Sequence, residues 1–144
     1  MDTFEYLLRH DIKPSVQRLA IMNYLDAHRT HPTADEIFND LSSSIPTLSK
    51  TTVYNTLRLF ALQGVIQSIT IDEKNEHFDA DTSVHAHFLC KSCGKIYDAF
   101  IKSKRCPGEA ELKEEGHKID EVYIYYRGIC KACKEKINNN NINK

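Results

Sequence analysis

The stretch SKTTVYNTLRLFALQGVIQSITI, Ser49 to Ile71, changes its period once. Its first part has helical spacing, with Val53, Leu57, Phe60 and Ala61 on one stripe. Ser49 is a capping residue at its start and Gly64 a stop signal at its end. From Val65 the pattern turns β-branched and alternating. DEKN (72–75) then reads as a turn that returns EHFD (76–79) as the second strand of a hairpin. Upstream, Phe4, Leu7 and Leu8 mark a short apolar face. Ser15 can cap a helix carrying Val16, Leu19, Ala20 and Tyr24, and TADE (33–36) is a capping box that opens a third helix. Short helices followed by a two-stranded wing are the pattern of a winged helix-turn-helix.

The expected fold class is α+β. A winged helix occupies residues 1–79, residues 80–84 form a polar hinge, and a small α/β module follows over 85–137. In that module EAELKEE (109–115) reads as a helix between Gly108 and Gly116, VYIYY (122–126) as a strand, and 130–137 as a terminal helix. The asparagine-rich end, 138–144, reads as a disordered tail. A module this small needs a staple or a partner subunit to be stable.

Composition narrows the function classes. The chain has 144 residues, 41% hydrophobic and 27% charged, as in an ordinary soluble protein. It has no apolar run of membrane length and no signal-peptide pattern, so a cytoplasmic address is expected. Five cysteines in such a chain point to metal or redox chemistry, not to a disulfide framework. Net charge is −1 overall, −3 over residues 1–78 and +2 over 79–144. DNA binding must therefore rest on a local basic surface.

Cys90 and Cys93 form one C-x-x-C, and Cys130 and Cys133 a second. Two such pairs close a tetrahedral thiolate shell that suits structural Zn²⁺ and leaves no open position. A thioredoxin-like dithiol would need a βαβ setting at the motif, which CKSC lacks. Cys106 has no partner at this spacing and reads as a free thiol.

His85 and His87 are two apart, so on a strand both imidazoles point to one face. The pair can serve one metal or be an ordinary surface pair. Asp79 and Asp98 flank it, and nitrogen with carboxylate oxygen suits Fe²⁺, Mn²⁺ or Zn²⁺. His31, just before the capped third helix, reads either as a ligand from the first half or as a solvated loop histidine. His10, His28, His77 and His117 lack such company and read as structural or surface residues.

The motifs VQRLAIMNYL (16–25), HPTADEIF (31–38), TTVYNTLRLFALQGVI (51–66), HAHFLCKSCGKIYD (85–98) and GICKAC (128–133) together resemble the ferric uptake regulator family of metal-dependent repressors. The resemblance implies an N-terminal winged helix that binds a palindromic double-stranded DNA operator, and a C-terminal module that forms a homodimer. It places structural zinc on Cys90, Cys93, Cys130 and Cys133, and a regulatory Fe²⁺ or Mn²⁺ on His31, Asp79, His85, His87 and Asp98. Aspartate at 79 and 98 resembles the peroxide-sensing branch, where iron-uptake members typically have glutamate. Ala86 between the histidines and Glu121 also suggest that an additional metal site of the iron-uptake members is missing. The Pro of KPSVQR sits earlier than is usual in the family, which leaves the role of Arg18 open.

A metal-dependent repressor that senses hydrogen peroxide through iron-catalysed oxidation of a ligating histidine is therefore expected, with His31 and His85 as the oxidation-sensitive residues. An iron- or zinc-uptake repressor without peroxide response is the alternative. Oxidation of this kind is single-use, so the chain is not read as an enzyme. DNA contact is expected from Lys50, Thr51, Thr52, Tyr54, Asn55 and Arg58 on the fourth helix, with Arg18 near phosphates.

Overall fold

A computed structural model describes residues 2–102 and 106–142. The chain divides into two compact units, Met1–Thr82 and Ser83–Lys144. No helix among the described residues is long and apolar enough to cross a membrane.

The first unit holds four helices and a hairpin: α1 (Thr3–Arg9), α2 (Val16–Ala27), α3 (Ala34–Leu41), α4 (Lys50–Leu62), β1 (Gln67–Ile69) and β2 (His77–Asp79). Each helix starts on a side chain that satisfies an otherwise unpaired N–H. Asp2 accepts from Phe4, Ser15 from Arg18, Thr33 from Glu36 and Ser49 from Thr52, and at Thr33 the capping box is complete. Val53, Leu57 and Phe60 of α4 are fully buried and pack with Leu7, Ile21, Leu25, Ile37 and Phe78. Each such side chain contributes roughly 1.5–3 kcal/mol on burial. This core seats α4 with its opposite face outward. After α4 the chain turns through Gly64, whose φ of 78° is left-handed.

The second unit contains β3 (Ala86–Cys90), β4 (Ile96–Ala99), α5 (Glu109–Glu114), β5 (Ile124–Gly128) and α6 (Lys131–Ile142). Its sheet has the order β4-β3-β5, antiparallel between β3 and β4 and parallel between β3 and β5. Among the described residues, none of the largest fully buried side chains lies in this unit. Cys90, Cys130 and Cys133 form a buried cluster instead, with Phe88 and Tyr97 packed against it.

Two expected boundaries move. The strand expected over 122–126 runs from Ile124 to Gly128, because Cys90 pairs with Gly128 in the parallel register and this brings Cys130 next to Cys90. A Cβ at Gly128 would meet the Phe88 ring at 3.2 Å, so a larger residue there would require that ring to shift by a few tenths of an ångström. The tail expected to be disordered from 138 is helical through Ile142. Once the first turn of α6 is fixed at the cysteine cluster, each added residue gains a hydrogen bond without a new nucleation cost. The last two residues of that expected tail, Asn143 and Lys144, lie outside the described residues.

Candidate metal centres

The four cysteines of the paired motifs converge in the second unit. Their Sγ atoms all lie within 4.8 Å of one another, and Cys93 and Cys130 are 3.9 Å apart. A tetrahedral ZnS₄ centre with bonds of about 2.3 Å has S···S edges of about 3.8 Å, so the residues fit the ion. The knuckle that carries Cys90 and Cys93 closes through Gly94 N–H donating to the Cys90 carbonyl, with Gly94 at a φ of 77°. Cys130 N–H donates to the Cys90 sulfur at 3.3 Å. That bond, with others from the knuckle backbone, pulls the Cys90 thiol down to about 6, so it is readily deprotonated as metal binding requires. The Tyr97 hydroxyl bonds to Cys130 and holds that thiol below its usual range. Cys106 is free and half-buried, outside this cluster.

The candidate nitrogen and oxygen donors fall into two groups, one in each unit. In the first unit, His31 Nε2 and Asp79 Oδ2 are 3.5 Å apart and both side chains are buried. His31 has a φ of 59°, unusual for a residue with a Cβ and costing on the order of 1–2 kcal/mol. Asp79, the last residue of β2, accepts from Asp81 N–H through its other oxygen.

In the second unit, Asp98 Oδ1 lies 3.1 Å from His85 Nε2 and 3.3 Å from His87 Nε2. His85 Nδ1–H donates to the Ser83 carbonyl at 2.7 Å, which turns Nε2 toward Asp98. The His85 ring stacks on Phe100 and tilts against His87. Because side chains alternate across a strand, the sheet separates its two chemistries. His87 and Asp98 occupy one face of β3 and β4, while Phe88, Cys90 and Tyr97 occupy the other.

The residues proposed to meet DNA are displayed on α4. Lys50, Thr51, Tyr54, Asn55 and Arg58 are exposed and Thr52 is half-buried. Arg58 lies over the Tyr54 ring, and Lys50 is 3.9 Å from Asp35. Arg18 bonds the Lys13 carbonyl at 2.8 Å. With Ser15, Gln17, Thr52, Asn55 and Thr56 it lines an open cleft of about 360 Å³.

Among the histidines read as structural or surface residues, His10 and His28 bond the carbonyls of Tyr6 and Tyr24 in their own helices, and His117 sits on the surface by Glu115. His77 differs: its ring reaches the carbonyl of His31. No local pattern marks that contact, since the two residues are 46 apart in sequence.

The model of the ferric uptake regulator family matches residues 9–127, and the chain belongs to that family. A peroxide-responsive repressor, PerR, of Staphylococcus epidermidis is 34% identical over 137 residues, covering 92% of this chain and 88% of that protein. The structure of PerR from Streptococcus pyogenes, described in terms of peroxide sensing and gene regulation, is similar with a TM-score of 0.52 and 28% identity, covering 92% of this chain and 94% of the other. The ferric uptake regulator of Vibrio cholerae shares the fold with a TM-score of 0.73 at 21% identity, over 90% of this chain and all of that one.

Proposed function

We propose that this chain is a metal-dependent transcriptional repressor that binds a palindromic operator as a homodimer and releases it on exposure to hydrogen peroxide. The observation that carries this reading is a matched incompleteness. One unit offers His31 and Asp79, the other His85, His87 and Asp98. Neither group alone fills the shell of Fe²⁺ or Mn²⁺, whereas together they supply five nitrogen and oxygen donors. In this reading all five serve one ion. Their combined ligand energy is available only in one arrangement of the two halves, so metal shifts the population toward it. That arrangement sets two recognition helices of a dimer about 34 Å apart, the spacing of successive major grooves.

Cys90, Cys93, Cys130 and Cys133 hold zinc in a closed shell, which staples a unit that has little other core. Support for a homodimer comes from apolar and aromatic residues exposed in the second unit, among them Tyr123, Tyr126 and Ile129. The exposed face of α4 reads the operator, with Lys50 and Arg58 suited to phosphate or guanine and Asn55 to adenine. A protein acting on an operator works in the cytoplasm.

Ferrous iron, when bound, supplies reduction of hydrogen peroxide beside the imidazoles. In this reading His31 and His85 are the imidazoles exposed to that chemistry. An imidazole that gains oxygen is a poorer donor, so the halves separate and repression ends. Mn²⁺ satisfies the same residues without this chemistry. Each event consumes the sensor, so the protein is not an enzyme. Over an uptake repressor without peroxide response, this reading is favoured by aspartate at 79 and 98 and by relatives named as peroxide-responsive repressors.

The test is an Mn²⁺ titration of the zinc-loaded protein. One ion per chain is expected, and His31→Ala and His87→Ala should each abolish tight binding. Tight binding that survives either substitution overturns the shared site.

A further inference from the structure

We infer that His77 and Asp72 form a positioning relay that fixes His31 from the hairpin turn, and so sets the metal affinity of the site from within the wing. The inference rests on His31 being a ligand, as proposed above.

The first unit stitches the His31 loop to β2 at three points. His77 Nδ1–H donates to the His31 carbonyl at 2.7 Å. Thr33 forms an isolated antiparallel bridge with His77, and Phe78 N–H donates to the Pro32 carbonyl at 3.0 Å. The ring of His77 is held from its other side, with Nε2 3.1 Å from the Asp72 carboxylate. Asp72 is itself fixed, since its carboxylate accepts from Lys74 N–H in the turn at 3.0 Å. The order is therefore turn backbone, Asp72 carboxylate, His77 ring, His31 carbonyl.

His31 has reason to need such a hold. Its left-handed φ of 59° is unfavourable for a histidine, and it precedes a proline, which narrows its backbone further. His77 holds the carbonyl of the peptide that joins His31 to Pro32, and the imidazole of the same residue lies 3.5 Å from Asp79. His77 and Asp79 lie two apart on β2, so both point to the side of the strand that faces the His31 loop, while Phe78 is buried in the core. One end of a three-residue strand thus holds the backbone of His31, and the other end meets its ring. Groups that orient a ligand from behind typically change metal affinity 10–100-fold when removed. His77 touches the main chain of the ligand and not its ring, so its effect must act through the placement of His31.

The experiment measures Mn²⁺ affinity of the full-length, zinc-loaded protein by the loss of the free-ion electron paramagnetic resonance signal, alongside the melting temperature of the same protein without Mn²⁺. His77→Asn keeps an amide donor where Nδ1 stands, whereas His77→Gln places its amide where Nε2 stands. The relay predicts that His77→Asn, which keeps the donor to the His31 carbonyl but loses the Asp72 contact, binds Mn²⁺ about as well as Asp72→Ala, and that His77→Gln binds at least tenfold more weakly than His77→Asn, with similar melting temperatures for both. Asp72→Ala should weaken binding in the same direction. Equal Mn²⁺ affinity for His77→Asn and His77→Gln would overturn the relay even if His31→Ala abolishes binding. Unchanged affinity in His31→Ala would instead overturn the ligand reading, and the relay with it.

Discussion

His87 and Asp98 are register partners across β3 and β4, with their Nε2 and Oδ1 atoms 3.3 Å apart. Phe88 and Tyr97, the next pair along, face the cysteine cluster on the other side of the sheet. A single ladder therefore aligns the donors of both proposed centres. A slip of one residue would exchange the faces and destroy both.

Zinc should accordingly control the second centre. Removing zinc with a strong chelator, or substituting Cys130→Ser, is expected to weaken Mn²⁺ binding at least tenfold and to produce monomers. Zinc content, light scattering and an Mn²⁺ titration on the same samples check this. Removing Mn²⁺ should leave zinc in place. A zinc-free protein that stays dimeric and binds Mn²⁺ normally would contradict the staple.

Asp98 faces two imidazoles at once, so its carboxylate orders both histidines of the second unit. Asp98→Ala should lower Mn²⁺ affinity by tenfold or more with zinc content unchanged. Isothermal titration with metal analysis measures both quantities.

Tyr97 bonds a proposed zinc ligand from outside the shell. Tyr97→Phe keeps the packing against the cysteines and removes only the hydroxyl. Zinc should then transfer faster to a competing chelator, by about tenfold, with an unaltered circular dichroism spectrum. Chelator absorbance followed over time is the readout.

Thr33 caps α3 two residues after His31, with the reciprocal bond from Glu36 present. Thr33→Ala should cost about 1 kcal/mol of stability, measured by denaturant unfolding of the zinc-loaded protein. Arg58→Ala should instead leave stability alone. It should weaken operator binding and reduce the salt slope by about one if Arg58 meets phosphate.

Much of this was legible in the sequence because it is local. A cap is written within four residues, as at Ser15, Thr33 and Ser49, and the two C-x-x-C pairs declare themselves by spacing alone. The stripe on α4 follows from helical period, and Val53 and Leu57 are buried as that period requires. What was not legible depends on distant contacts. The end of β5 is set by parallel register with β3, a pairing that no segment of β5 announces by itself. The length of α6 follows from its anchored start, against the poor helical propensity of Asn138 to Asn141. His77 looked like a bystander because its partner, the His31 carbonyl, is a backbone atom brought close only by the hairpin.

The most direct measurement of the central claim is operator affinity of the Fe²⁺ and Mn²⁺ forms, prepared without oxygen, before and after one equivalent of hydrogen peroxide, with the His31 and His85 peptides weighed from each sample. The account predicts that both forms bind at first, and that peroxide releases only the Fe²⁺ form while adding the mass of oxygen to one of these peptides. An Fe²⁺ form that keeps the operator after peroxide, or loses it with both peptides unchanged in mass, would contradict it.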